Sequence, residues 1–232
     1  IALGMIQFSS NANTDYLLDL MDYPDFSEIY AAFGVDDMGQ LPPILGTFLL
    51  SFDPNFDREA VVDQAEMTAL AIETTENYIN SADFRAEIAA IEDEVDFGGA
   101  AAFMNEFFWR SSPRDFMNIM AQVATGEGIS EEGAAIMREI LEWLMVNEPE
   151  TALYFDAIGT KGGNLTPTGT LTSAWYGTTL NGSTVALSVF YRDLDFDVYT
   201  QWTTSFAYQL IEISPILEGD CQILEQLFVE AE

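Results

Sequence analysis

Apolar residues recur at helical spacing over the first 149 residues of the chain and change to a strand-like texture after Pro149. Leu17, Leu18 and Met21 share one helical face, which predicts a helix from about Asn13 to Met21, just after Ser9-Ser10-Asn11, with Asn11 or Asn13 available as its cap. Residues 22–57 carry Pro24, Gly34, Gly39, Pro42, Pro43, Gly46 and Pro54, and predict loops and short helical turns. From Arg58 to Val95 the pattern is acidic and helical. It predicts two amphipathic helices broken near Asn80-Ser81, with Val62, Ala65, Ala69 and Ile72 in the first stripe and Phe84, Ile88, Ile91 and Val95 in the second.

Gly98-Gly99 punctuates this run, and a small-residue and aromatic segment follows from Ala100 to Trp109. Ser112-Pro113-Arg114-Asp115 reads as a helix start, with serine at the N-cap, proline at N1 and an acid at N3. That helix is expected to bury Phe116, Ile119, Met120 and Val123 and to end at Gly126. Ser130-Glu131-Glu132 opens the next, with Met137, Ile140, Leu141 and Leu144 as its stripe and Pro149 closing it. Strands are predicted over Ala152–Thr160, Gly169–Thr178 and Ser183–Arg192, rich in Thr, Val, Tyr, Phe and Trp. Leu180-Asn181-Gly182 is a hairpin signal between the last two. A helix from about Val198 to Ile213 and a short acidic tail helix within Pro215–Glu232, carrying Leu224, Leu227 and Phe228, complete the pattern.

Composition changes the picture in three ways. Thirty-nine acids stand against seven Lys and Arg, a formal net charge of -32, and such a surface repels nucleic acid and anionic lipid. There is no histidine, so Ser-His-Asp, Cys-His and histidine-based metal chemistry are excluded within the chain. The one cysteine, Cys221, allows no internal disulfide and reads as a core or interface thiol. The most apolar stretch, around Leu41–Phe52, is too short and too proline-broken to span a bilayer, so no membrane insertion is expected. The sequence opens on Ile1 with neither an initiator methionine nor a charged segment before an apolar core, so no signal peptide is visible and the chain reads as the later part of something longer.

The order of parts resembles the penicillin-recognising serine hydrolases: class A β-lactamases, D-alanyl-D-alanine carboxypeptidases and related β-lactamase-like proteins. Met5-Ile6-Gln7-Phe8-Ser9-Ser10-Asn11, with the helix after it, looks like that family's Ser-x-Asn motif. Ser111 to Met117, with Gly126 to Ser130 beyond, is similar to the helical hairpin before its sheet. Lys161-Gly162-Gly163 on a strand, followed by a hairpin and a C-terminal helix, resembles its Lys-Thr/Ser-Gly strand. The resemblance implies an α+β, β-lactamase/transpeptidase-like fold: a mainly helical subdomain over 1–150, packed on an antiparallel sheet over 151–232 of the same catalytic-type domain. Three strands of that sheet lie in this chain, with a C-terminal helix.

It further implies roles. Ser9 would relay a proton to the leaving nitrogen, and Asn11 would hold the substrate's amide side chain and orient the nucleophile-activating lysine. Lys161 would supply positive charge at the cleft rim, keep the Ser9 hydroxyl polarised and attract a substrate carboxylate. Gly162 and Gly163 would line the substrate strand, and Asn164 would offer one backbone N–H of the oxyanion hole. No cofactor and no metal are implied. The partner would be a small-molecule or peptide-like substrate, and the location extracytoplasmic, either secreted or periplasmic.

The departures are equally concrete. Lys161 is the one lysine of the chain and the residue three before it is Ile158, so Ser-x-x-Lys, nucleophile and base together, does not occur in these 232 residues. It and the missing strands would come from an upstream segment or a separate chain. Gly162 replaces the hydroxyl residue that usually binds the substrate carboxylate. No glutamate lies between Ile29 and Glu59, where a class A enzyme would hold its deacylating base. Two readings stand: a serine hydrolase acting by an acyl-enzyme route on a peptide-like amide, β-lactam or ester, and a noncatalytic β-lactamase-like binding module. The charge also predicts a salt-requiring, halophilic protein, because self-repulsion at low ionic strength is largely screened at about 1 M salt, where the Debye length is roughly 3 Å. Thermal melts at low and high salt are expected to show a clear rise in Tm with salt, and equal Tm in both would refute it.

Overall fold

The computed structural model describes residues 1–35, 38–91, 96–108 and 110–204. The chain divides into two compact units, the first made of Ile1–Ala31 and Val35–Arg110, the second of Ala32–Gly34 and Ser111–Glu232.

Unit 1 is helical: α1 (Ala2–Gln7), α2 (Asn11–Leu20), α3 (Ser27–Ala32, whose last residue falls in unit 2), α4 (Ile44–Phe52), α5 (Gln64–Asn80), α6 (Ala82–Ala90) and α7 (Phe97–Phe107). Helix α4 is its hub, lying against α2, α5 and α7. Pro43 precedes α4 and offers no capping side chain. The carboxylate of Asp15 on α2 takes that role, accepting from the N–H groups of Ile44 and Leu45 at 2.7 and 2.8 Å. At the other end Arg58 donates to the carbonyls of Ser51 and Asp53 and pairs with Asp96, the N-cap of α7, at 3.2 Å. Leu50, Val61, Met67, Ala71, Phe103 and Phe107 form the apolar centre, with Phe56 edge-on to Phe103.

Helix α5 turns a different face inward from the predicted one. Met67, Thr68, Ala71 and Thr75 are buried, whereas Ala65 and Ala69 are exposed and Val62 stands 79% exposed. The reason lies on α4: a Cβ on Gly46 would fall 1.9 Å from the carbonyl oxygen of Ala71, so α5 presents its small residues there and the two backbones nearly touch. The break at Ser81 is where the pattern put it, with Ser81 ending α5 and capping α6. Gly98-Gly99 does not interrupt a helix. Both lie in the first turn of α7, where a Cβ on Gly99 would meet Asp96 Oδ2 at 2.1 Å and Arg58 Nη1 at 2.5 Å.

Unit 2 contains α8 (Pro113–Thr125), α9 (Glu131–Leu141) and α10 (Trp143–Asn147), then β1 (Phe155–Leu165), β2 (Thr170–Thr179), β3 (Thr184–Tyr191) and α11 (Phe196–Thr204). The capping box at Ser112 and Asp115 forms as expected, Gly126 ends α8 with φ 74°, and Ser130 caps α9. The strands make an antiparallel meander in the order β1-β2-β3. Asn181 and Gly182 turn the hairpin, the asparagine side chain accepting from the Ser183 N–H and Gly182 taking φ 83°. The expected α+β class, with a three-stranded antiparallel sheet and a helix after it, is thus the class the chain adopts.

Cross-strand register assigns the two faces of the sheet. Ile158, Thr160, Gly162 and Asn164 share one face with Trp175, Ser173 and Leu171, while Gly159, Lys161 and Gly163 share the other with Tyr176, Ala174 and Thr172. The first face packs Phe155, Ile158 and Trp175 with Leu144 of α10, and farther along Tyr191 meets Trp202 of α11 edge-on at 4.9 Å. The second face receives α8, whose Phe116 meets Phe190 at 5.7 Å. β1 begins three residues later than predicted and runs on through the Lys-Gly-Gly segment to Leu165. Beyond Thr204 the predicted helix to Ile213 and the tail with Cys221 lie outside the described residues, as do Val95 and Trp109. Among the described residues no helix is long and apolar enough to cross a membrane.

Because a Cβ at residue 46 must force α4 and α5 apart, Gly46→Ala is expected to cost about 1–3 kcal/mol in urea unfolding at high salt. A change within about 0.5 kcal/mol would mean that the two helices separate without strain.

Candidate functional site

Three of the residues singled out by sequence, Lys161, Gly162 and Gly163, stand on β1, and the fourth, Asn164, follows directly on the same strand. Among the described residues β1 pairs with β2 alone, so it is an outer strand of the sheet. Gly162, Gly163 and Asn164 are exposed and Lys161 is half-buried. Strand alternation separates the four: Lys161 and Gly163 belong to the α8-facing side, Gly162 and Asn164 to the other. There the Asn164 side chain reaches Tyr199 of α11, whose hydroxyl lies 3.4 Å from Asn164 Oδ1 and 3.0 Å from Thr166 Oγ1. The Asn164 amide is thus tied to α11 on the face opposite Lys161.

The Lys161 ammonium donates to the carbonyl oxygen of Gly162. Burial pushes its pKa down from the usual 10.5, because the charged form loses hydration. On the same face, two residues earlier, Gly159 leaves a slot that the ring of Tyr176 fills. A Cβ on Gly159 would fall 2.2 Å from Tyr176 Cε1 and 2.7 Å from its hydroxyl oxygen. Tyr176 is 1% exposed and donates to Glu142 Oε1 at 2.8 Å. Burial, and then the bond to and the charge of Glu142, raise the phenol far above its ordinary value of 10.0. Four residues before Glu142, Arg138 donates to the carbonyls of Val123 and Ala124 at the end of α8. Gly159, Tyr176 and Glu142 were not flagged by the sequence, since no local pattern states which residue of β2 stands opposite Gly159.

Ser9 and Asn11 belong to unit 1. Ser9 joins α1 to α2 with φ 49°, in the left-handed region that few residues other than glycine adopt, and it is exposed. Asn11 is the first residue of α2 and exposed. Neither Asn11 nor Asn13 caps this helix: Ser10 does, its side chain accepting from the Asn13 N–H at 3.2 Å. Serine is as good a cap as asparagine, and the left-handed turn at Ser9 sets Ser10 in the extended conformation a cap requires. Elsewhere in unit 1 a cleft of about 20 Å³ lies among Pro42, Ile44, Thr47, Phe107 and Phe108, with no titratable group in its lining. Among the described residues no three His, Cys, Asp or Glu side chains are grouped to hold a metal ion.

No protein-family model and no curated protein matches the chain. Among solved structures, a β-lactamase from Sphaerobacter thermophilus is similar at 23% identity over 39% of this chain and 35% of that one, with a TM-score of 0.30. The likeness is partial and distant, spanning about a third of that enzyme's chain, and it assigns no role to any residue here.

The desolvated ammonium of Lys161 yields a signed prediction. A lysine whose folded pKa lies below its unfolded value costs stability at pH values under the folded pKa, and the cost is relieved as pH rises toward 10.5. Lys161→Met is therefore expected to match or exceed the wild-type Tm at pH 7 in about 1 M salt, where long-range repulsion is screened, and to lose that margin at alkaline pH. A lower Tm for the variant at pH 7 would show that the interactions of the ammonium outweigh its desolvation.

Proposed function

We propose that this chain is the substrate-holding part of a β-lactamase-like serine hydrolase, one that works by acyl transfer on a peptide-like amide, a β-lactam or an ester. The observation that carries the reading is Lys161 on the outer strand of an antiparallel meander, with the bare backbone of Gly162 and Gly163 exposed beside it. An exposed strand backbone without side chains at two successive positions suits an extended amide ligand, and an ammonium beside it suits its carboxylate. The order of the parts supports it as well: Ser9-Ser10-Asn11 at the start of a helix, a capped helical hairpin, the lysine strand, then a hairpin and a helix. In this reading the backbone of Asn164 faces the developing oxyanion. The nucleophilic serine and its lysine base come from sequence outside these 232 residues, and the protein works outside the cytoplasm.

A second reading, a noncatalytic binding module, is favoured by one fact. The chain has a single lysine and no Ser-x-x-Lys. Intact-mass measurement after exposure to a penicillin or an activated fluorophosphonate separates the two. The full-length protein is expected to gain one adduct and these 232 residues none. An adduct on the 232 residues would refute the claim that the nucleophile lies elsewhere, and its absence from the full-length protein would leave the binding module. Calorimetry of a penicillin against its methyl ester tests the carboxylate grip directly, with Lys161→Met expected to abolish the preference for the acid.

A further inference from the structure

Lys161 sits between two unlike neighbours on its face of β1. On one side, at Gly159, the ring of Tyr176 crosses from β2 and occupies the space a side chain would take. On the other side, at Gly163, no side chain stands, and the nearest group a Cβ would meet is the Thr172 hydroxyl at 2.9 Å. Side chains two apart on a strand are neighbours on one face, so the bulk at Gly159 closes the space on that side of the Lys161 side chain and the side at Gly163 stays open. The Lys161 ammonium does lean that way, donating to the carbonyl of Gly162. The ring is in turn fixed at its far end, where its hydroxyl donates to Glu142 at 2.8 Å. Glu142 is held by the turn that joins α9 to α10, its N–H donating to the carbonyl of Arg138 at 2.8 Å.

We propose that Tyr176, anchored by Glu142, is a positioning residue that turns the Lys161 ammonium toward Gly162 and Gly163, the stretch of β1 where a ligand carboxylate would lie. The functional meaning rests on the reading of Lys161 as the carboxylate-binding cation, whereas the geometry does not. A tyrosine that only filled space could lose its hydroxyl without redirecting the lysine. One that is hinged at Glu142 could not, since the unanchored ring would be free to tilt out of the Gly159 slot. The anchoring needs an acceptor at residue 142 and no charge, so a glutamine carbonyl should serve in place of the carboxylate.

A single lysine makes the test direct, because protein grown with carbon-13 lysine carries one set of ε-methylene signals. In a carbon-edited NOE spectrum of the 232-residue chain at high salt, those protons are expected to show cross-peaks to the α-protons of Gly162. Tyr176→Phe and Glu142→Ala are expected to lose at least half of that intensity while remaining folded by circular dichroism, and Glu142→Gln to keep it. Cross-peaks of equal strength in all three folded variants, with Tm lowered in the first two, would reduce Tyr176 and Glu142 to packing and overturn the proposal. If Tyr176→Phe does not fold, the Glu142→Ala and Glu142→Gln pair gives the same answer. Binding of a penicillin and its methyl ester is measured on the same samples. Loss of the cross-peak should bring about a tenfold fall in preference for the acid. A wild-type chain that shows the cross-peak but no preference would sink the proposed function and leave the positioning intact.

Discussion

Positive charge is scarce in this protein, seven cationic side chains against thirty-nine acids, and four of the seven stand at the C-terminal ends of helices. The last carbonyls of a helix lack intrahelical donors and carry partial negative charge, so in so acidic a chain they need help more than most. Four arginines supply it. Arg58 donates at the end of α4, Arg85 to Tyr78 and Ile79 at the end of α5, Arg110 to Asn105 of α7, and Arg138 to Val123 and Ala124 of α8. Acids complement them at the other ends: Asp63 and Asp96 are N-caps, Asp115 completes a capping box, and Asp15 closes the start of α4 from a neighbouring helix. Lys161 stands apart from this scheme. It lies on a strand, at a site where burial disfavours its charge.

Glycines placed where two backbones or a ring must come close are the second device, and each unit uses one. In unit 1 Gly46 lets α4 meet α5 at Ala71, and in unit 2 Gly159 admits the ring of Tyr176. The consequences differ. Gly46 serves packing alone, drawing the small face of α5 inward. Gly159 lies two residues from Lys161, so what fills its slot also bounds the space of the candidate cation. The buried phenol demands an acceptor, which couples that boundary to Glu142 and through it to the α9–α10 turn.

Much of the architecture was legible in the sequence because it rests on local chemistry. The capping box at Ser112, the left-handed Gly126, the serine cap at Ser130, the break at Ser81 and the Asn181-Gly182 turn each depend on a few consecutive residues. So did the α+β class, since apolar period and β-branched content change at Pro149. The candidate residues Lys161, Gly162 and Gly163 were legible as a motif, but the strand predicted by pattern, begun three residues early, stopped at Thr160 just short of them. Less legible were the inward face of α5, the helical start at Gly98-Gly99 and the cap of α2. In each the deciding partner lies elsewhere: Gly46 on another helix, Arg58 far upstream, and a left-handed Ser9 that no propensity predicts.

By itself, then, the sequence determined where many elements begin and end, and that the chain holds a single lysine and no Ser-x-x-Lys. Tertiary structure alone decided the pairing of Gly159 with Tyr176, the sidedness that puts Lys161 and Asn164 on opposite faces of β1, and the carboxylate that holds the tyrosine. The physical reason is that caps and turns are satisfied by neighbours within a few residues. Strand register and the contents of a slot are set by groups brought together from far along the chain, and those are fixed only once the sheet and its helices have packed.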